Sequence, residues 1–163
     1  MYGSSNLNEL NDESTLDAVV RLIGNPANGE LYLSDIRGRA AQTLQRYGRY
    51  VAELFREHSI TIPPAVNLQT GPDGEVRVVG DHPERAQIER LFAATPKLVK
   101  GFKEVEVVHE IIRTQEEAML FQQLMQLNPV AAEKRRAMES AVPVFNLGIT
   151  SGGPLAFFSQ TPH

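Results

Sequence analysis

The 163-residue chain contains no cysteine and no tryptophan, and only 7% of its residues are aromatic. The absence of cysteine excludes disulfide scaffolds, cysteine nucleophiles, iron–sulfur clusters and thiolate zinc sites. No apolar run approaches the roughly 18 residues that a membrane-spanning helix needs. Residues 1–8 also lack the basic start and the apolar stretch of a secretory signal. We therefore expect a cytoplasmic protein with no membrane span and no cofactor.

The chain has little excess charge of either sign, with 16 Lys and Arg against 20 Asp and Glu and a formal net charge of −4. This balance argues against a dedicated nucleic-acid binder. A chain of this length buries roughly 68–70% of its unfolded surface, so it can fold without a disulfide or a metal. We expect residues 1–13 to form a flexible polar tail and residues 14–163 to form a single domain.

Residues 14–23 have the pattern of a short amphipathic helix. They begin with a segment that resembles a capping box, and their apolar members follow at helical spacing: Leu16, Val19, Val20 and Ile23. The segment 24–26, Gly-Asn-Pro, ends this pattern. Leu31 and Leu33 are spaced as in a short strand.

A long amphipathic helix is predicted from a cap at Ser34 to about His58. Its apolar residues recur every three or four positions on one side: Ile36, Ala40, Leu44, Tyr47, Val51, Leu54, Phe55 and His58. Beside this stripe is a row of small residues that includes Gly38 and Gly48. A glycine inside a helix costs about 1 kcal/mol relative to alanine, so the row suggests that another backbone packs closely there.

The far side of the same helix carries four arginines, Arg39, Arg46, Arg49 and Arg56. They are a candidate interaction surface for phosphates, an acidic protein or an anionic membrane. The alternative is a solvated face, because Glu53 and Glu57 can pair with these cations locally. Nucleic acid is the least favoured ligand, since no aromatic residues alternate with the arginines.

Two β-hairpins are predicted from alternating apolar residues on either side of turn sequences. In the first, the turn is Gly71-Pro72-Asp73-Gly74, where proline presets one dihedral angle and glycine supplies a positive φ. The second has the turn Ser151-Gly152-Gly153-Pro154. The apolar strand residues are Val66, Leu68, Val76 and Val78 in the first hairpin, and Phe145, Leu147, Ile149, Leu155, Phe157 and Phe158 in the second.

Three further helices are predicted between the hairpins. The first begins within residues 81–84, with Asp81 or His82 as its cap and Pro83 in its first turn. The second extends from Thr95-Pro96 to about Leu127, and the third begins at Asn128-Pro129 and is ended by Pro143. The fold class is therefore α+β, with several helices, two of them long, packed on a small antiparallel sheet built from two hairpins.

The longest predicted helix exceeds the expected size of the domain. At 1.5 Å per residue it would span on the order of 45 Å, whereas a compact chain of this length is about 40 Å across. We expect this helix either to bend, at Gly101, or to project toward a partner. Residues 118–127 are apolar on nearly all sides, which is typical of a segment enclosed by several elements or by a second subunit. Their candidate interface residues are Met119, Phe121 and Met125.

No catalytic or metal-binding set assembles from the sequence. Glu106 and His109 have the Glu-x-x-His spacing of di-iron bundles, but the second such pair is missing. Arg113 stands where a zinc-protease helix requires its second histidine, and a cation there repels the metal. His58 and His109 both fall on apolar helix seams and could approach each other, but two independent core histidines are the favoured interpretation, because a metal site needs further ligands.

Asp81 and His82 could form an acid–base pair, because a carboxylate beside an imidazole can orient a general base. Catalysis would also need a nucleophile and donors for developing negative charge, which Ser151 and the adjacent glycines could supply. These residues do not match a nucleophile elbow, and no helix follows them. Helix capping and a tight turn explain the same residues without catalysis.

The function expected from the sequence is a non-enzymatic protein-interaction or scaffold domain that associates with a second copy of itself or with another protein. The apolar segment 118–127 and an exposed Phe157-Phe158 pair favour it. Two alternatives remain open. One is a small enzyme that uses Asp81 and His82, and the other is an exported or secretion-associated protein of bacterial type.

Overall fold

A computed structural model describes residues 29–138 and 142–161 of the chain. The flexible tail predicted at 1–13 and the short helix predicted at 14–23 lie outside these residues. The elements are, in chain order, α1 (Gly29–Glu57), β1 (Val66–Thr70), β2 (Val76–Val79), α2 (Arg85–Ala94), α3 (Pro96–Leu127), α4 (Pro129–Met138), β3 (Val142–Thr150) and β4 (Gly153–Thr161).

The predicted α+β fold is confirmed, with two long helices and a four-stranded antiparallel sheet of order β2-β1-β3-β4. Each hairpin forms as the turn sequences predict. The two hairpins join side by side because β1 pairs with β3, with Leu68 opposite Leu147. Helices α1, α2 and α3 contact β4, β2 and β3 respectively. The sheet therefore presents one face to the helices, and β2 and β4 are its edges.

The first hairpin shows how local sequence specifies local structure. Gly71 donates its backbone N–H to the Glu75 carbonyl, and Gly74 donates its own to the Gly71 carbonyl. Gly74 has a φ of 85°, a conformation that glycine adopts without steric cost. The alternating valines and leucine of β1 and β2 are buried, while Arg77 is exposed on the opposite face.

The main hydrophobic core lies between the sheet and the three helices that contact it. Phe102 of α3 packs edge-on against Phe145 of β3, and Phe145 packs in the same way against Phe158 of β4. The fully buried large side chains are Phe55, Phe92, Phe102, Phe145, Leu68, Ile88, Leu98, Leu147, Ile149, Val51, Val66 and Val78. A second, smaller cluster joins the start of α1 to the middle of α3.

Helix α1 begins at Gly29, so the predicted cap at Ser34 is wrong, and Leu31 and Leu33 belong to this helix and not to a strand. Leu33 is buried because it continues the stripe of Ile36 and Ala40 by one helical turn. Ser34 is exposed on the outer side of the helix. The local signal was misleading because a serine also fits the solvent face of a helix that begins earlier.

The small-residue row of α1 marks a close approach, as expected. A Cβ atom added to Gly48 would lie 2.3 Å from Cγ of Pro154 at the start of β4. At Gly38, in the same row, no atom of the described residues lies within 4 Å of an added Cβ. Of these two glycines, Gly48 is the one that packing against the described residues requires.

Helix α3 is continuous over 32 residues and runs antiparallel to α1. Tyr47 of α1 reaches Leu98 near the start of α3, whereas Arg37 of α1 reaches Glu116 in its second half. The last buried residue of α3 is Ile112, so its C-terminal part extends beyond the main core. None of the helices in residues 29–138 combines the length and the apolar character that crossing a membrane requires.

The predicted boundaries around α4 are partly confirmed. Asn128 caps this helix, since its side-chain oxygen accepts the N–H of Ala131. Pro143 was expected to end the helix but is the second residue of β3, opposite Gln160 of β4. Proline is tolerated there because β1 pairs only with the far end of β3, around Leu147, and leaves the other side of Pro143 unpaired within the described sheet.

Candidate interaction surfaces

The four arginines predicted on the far side of α1 are all exposed. Arg39 pairs with Asp35 at 3.2 Å, and Arg56 pairs with Glu53. Both pairs are exposed and join residues three or four positions apart, a kind of pair that contributes only a few tenths of a kcal/mol. Among the described residues Arg46 and Arg49 form no ion pair, and of these two only Arg46 lines a groove. The rest of the row resembles a solvated face.

Arg46 belongs to a groove between α1 and the start of α3, which we call the α1–α3 groove. Its volume is about 460 Å³, and it is lined by Thr43, Arg46, Tyr47, Tyr50, Lys97, Lys100, Gly101 and Glu104. Three of these side chains are cations and one is an anion. Within residues 29–138 and 142–161, neither Arg46, Lys97 nor Lys100 takes part in an ion pair.

Tyr47 forms the floor of the α1–α3 groove. Its hydroxyl donates a hydrogen bond to the Leu98 carbonyl at 2.6 Å. Its ring lies against the backbone of α3, because a Cβ added to Gly101 would be only 2.5 Å from the Tyr47 Cε1 atom. Burial, and secondarily the charge of Tyr50 if it ionises, raises the pKa of Tyr47 well above its usual range. The floor is thus a fixed, neutral phenol.

Strand β4 forms one edge of the sheet and carries a second candidate surface. Leu155 is 55% exposed and Phe157 is 39% exposed on the face opposite the helices. The exposure expected for Phe158 is corrected by the structure: its ring packs against Phe145, and Arg113 lies over it. The two phenylalanines differ because successive strand residues point to opposite faces.

An amide cluster next to Phe157 was not foreseen from the sequence. Asn146 of β3 is buried, and its side-chain oxygen accepts hydrogen bonds from Asn67 at 3.1 Å and Gln69 at 2.7 Å. Its amide nitrogen donates to the Val144 carbonyl and the Ser159 hydroxyl. The available signal was that polar residues of three neighbouring strands alternate with core residues, but only the strand order brings them together.

The third candidate surface lies where α3 and α4 meet. Met119 is half-buried against the smaller core cluster, and Arg136 of α4 lies over the ring of Phe121, 4.2 Å from its centre. Met125 is exposed, and Leu127 is 82% exposed. The expectation that several elements enclose residues 118–127 is thus met only in part, by α4 and the start of α1 among the described elements.

The structure does not bring Asp81 and His82 together as an acid–base pair. His82 is buried, and its Nε2–H donates to the Thr61 carbonyl at 3.0 Å. Its Nδ1 accepts the backbone N–H of Glu84 at 3.0 Å, while Asp81 is exposed. Helix α2 begins at Arg85, later than predicted. Both ring nitrogens therefore hold backbone groups in place.

The segment Ser151–Gly153, considered above as a source of a nucleophile, forms the tight turn between β3 and β4. The Thr150 hydroxyl donates to the Gly153 carbonyl at 2.8 Å and accepts the N–H of Gly152 at 3.1 Å. Gly153 has a φ of 118°. The geometry of a hairpin accounts for these residues.

His58 and His109 lie in different environments and do not form the paired site considered from the sequence. His58 follows the last residue of α1 and is exposed, so its predicted place on the apolar seam is wrong. His109 packs against Phe145, and its Nδ1–H donates to the Val105 carbonyl. Glu106 accepts a hydrogen bond from Thr70 of β1 instead of facing a metal. In the described part of the chain, no three His, Asp or Glu side chains are grouped as metal ligands.

The chain matches no known protein family, no curated protein and no solved structure. Its function must therefore be inferred from the geometry of these surfaces.

Proposed function

We propose that this chain is a non-enzymatic, cytoplasmic protein-interaction domain that associates with a second copy of itself through the outer edge of β4. The supporting observation is the composition of this edge strand. Gly153–Thr161 contains nine residues, none of them charged, and it exposes Leu155 and Phe157. A long, uncharged and apolar edge offers unpaired backbone groups to another strand.

The opposite edge of the sheet, strand β2, has features that protect an edge strand from pairing with another chain. Strand β2 has only four residues and exposes Arg77, which approaches Glu75. Short length and charged side chains are the features by which natural edge strands avoid pairing. Strand β4 has neither feature, although Pro154 near its beginning limits pairing at that end.

A second copy is the partner that suits β4 best. Two identical strands related by a two-fold axis pair antiparallel, and the same residues contact each other across the axis. Because Gly153–Thr161 is uncharged, such pairing brings no like charges together, although the whole chain has a formal charge of −4. Leu155 and Phe157 of both copies would then form one continuous apolar strip on a joined sheet.

Sedimentation equilibrium tests this proposal with two matched lysine substitutions. Phe157→Lys places a charge on β4, whereas Val79→Lys places the same charge on β2, at a residue of similar exposure (43%). We expect the wild-type chain and Val79→Lys to dimerise and Phe157→Lys to be monomeric. Circular dichroism and the thermal midpoint check that both variants remain folded.

Two results would contradict the use of β4. One is a wild-type chain that stays monomeric at all concentrations. The other is a dimer that persists in folded Phe157→Lys but dissociates in Met125→Lys, because Met125 lies at the junction of α3 and α4. The second result would transfer the interface to that junction.

A further inference from the structure

We propose that the α1–α3 groove binds a small phosphate monoester whose organic part is apolar or aromatic. This site is separate from β4, and the proposal does not depend on self-association. It rests on the charge of the groove, on the polarity of the α3 N-terminus and on the shape of the tyrosine floor.

The charge of the groove is unbalanced. Arg46, Lys97 and Lys100 line it with one carboxylate, that of Glu104, which leaves an excess of two positive charges in a chain whose overall charge is negative. Elsewhere on α1, Arg39 has a carboxylate partner one turn away. Among the residues the structure describes, Arg46, Lys97 and Lys100 form no ion pair, although Glu104 lies one turn from Lys100 in the same groove. An anion would therefore balance the charge that remains.

The start of α3 adds to this positive potential. The N-terminus of a helix carries a partial positive charge, which acidic side chains usually offset. Helix α3 has no acidic residue in its first turn, and Thr95 makes no side-chain capping bond. Lys97 occupies this turn and Lys100 the next, so their charges add to the partial positive charge of the helix end instead of offsetting it. The uncapped start of α3 and the cations of the groove thus favour the same charge of ligand.

The floor of the groove selects an organic group next to the anion. Tyr47 is fixed by its bond to Leu98, and Tyr50 lies beside it with ring centres 6.4 Å apart. Lys97 lies 5.2 Å above the centre of the Tyr50 ring, so an ammonium group and an aromatic surface are adjacent. A volume of about 460 Å³ is within the range of small-molecule sites.

A phosphate monoester fits this combination better than a carboxylate. Near pH 7 it carries a charge of about −1.5 to −2 and three acceptor oxygens, which match three cations. The guanidinium of Arg46 can bind two of these oxygens at once, and lysines act as point charges. The Thr43 hydroxyl lines the same groove and can donate one more hydrogen bond.

Titration calorimetry of the full chain with phenyl phosphate tests the proposal, with inorganic phosphate and benzoate as comparison ligands. We expect phenyl phosphate to bind with a Kd below about 1 mM and more tightly than either comparison ligand. Affinity should rise from pH 5 to pH 7.5, because the second phosphate pKa is about 6.

Charge-removing variants distinguish specific binding in the groove from general attraction of the phosphate to surface cations. Arg46→Gln and Lys100→Gln should each weaken binding about tenfold, or about 1.4 kcal/mol. Arg49→Gln removes the same charge from an exposed position of α1 outside the groove, and Lys134→Gln does so on α4. These controls should change the Kd less than twofold.

The proposal is overturned if phenyl phosphate shows no saturable binding, or if Arg49→Gln weakens binding as much as Arg46→Gln. It is also overturned if inorganic phosphate binds as tightly as phenyl phosphate, because the tyrosine floor would then contribute nothing. Phe157→Lys should bind phenyl phosphate like the wild type, so failure of β4 pairing and failure of this site can be told apart.

Discussion

The phenolic hydroxyl of Tyr47 on α1 donates a hydrogen bond to the backbone carbonyl of Leu98 in the first turn of α3, with 2.6 Å between the two oxygens. This contact joins the two longest helices near the start of α3. It is possible because Gly101, which has no Cβ, leaves room for the Tyr47 ring. It also fixes the floor between Arg46 and Lys100. Packing of the scaffold and the shape of the α1–α3 groove therefore depend on the same residue.

Tyr47 should make the folded protein less stable at alkaline pH. Its pKa is raised in the folded state, while in the unfolded chain it is about 10. The stabilisation is therefore fully present below pH 10 and is lost as the pH rises above it, because the unfolded chain releases a proton that the folded chain retains. Urea unfolding measured from pH 8 to 11 should show this decrease.

Tyr47→Phe supplies the comparison. At neutral pH it should cost about 1 kcal/mol, the typical net value of a hydrogen bond, and it should lose less stability than the wild type above pH 10. Tyr50→Phe, which changes the neighbouring phenol, should retain the wild-type dependence. An equal alkaline decrease in the wild type and Tyr47→Phe would contradict the assignment.

Gly48→Ala should destabilise the protein although alanine is the better helix former. The added Cβ would lie 2.3 Å from Pro154 of β4, and overpacking costs typically 1–3 kcal/mol. Gly38→Ala makes the same change on the same helix, with no described atom within 4 Å of the new Cβ. It should stabilise by about 0.5–1 kcal/mol.

Urea unfolding of both glycine variants gives this comparison directly. Opposite signs are expected, because both replacements gain helix propensity and only one meets another strand. If Gly48→Ala were as stabilising as Gly38→Ala, the contact between α1 and β4 would be looser than the structure shows.

His82→Ala should lower the free energy of unfolding by about 1–3 kcal/mol, because it removes a buried side chain and two hydrogen bonds to part-buried backbone groups. The groups affected are the Thr61 carbonyl and the Glu84 N–H. His58→Ala changes an exposed histidine and should stay within about 0.5 kcal/mol of the wild type. Thermal or urea unfolding distinguishes them, and equal stabilities would show that His82 has no structural role.

Elements with strong local signals were predictable from the sequence. The first hairpin followed from its turn and from alternating valines, and the start of α3 followed from Thr95-Pro96. The boundaries at Ser34 and Pro143 were wrong because serine and proline fit more than one place in an element. Phe158 was assigned to the surface with Phe157, although the period of a strand already places adjacent residues on opposite faces.

The sequence alone determined the class of fold, the helices and hairpins and most of the core, because these depend on dihedral preferences and on apolar periodicity within short segments. Tertiary structure decided that β1 pairs with β3, which makes β4 an edge. It also brought Arg46 beside Lys97 and Lys100, about fifty residues further along the chain. Such contacts arise from packing between segments that are distant in the sequence, so they cannot be predicted from dihedral preferences or apolar periodicity within a short segment.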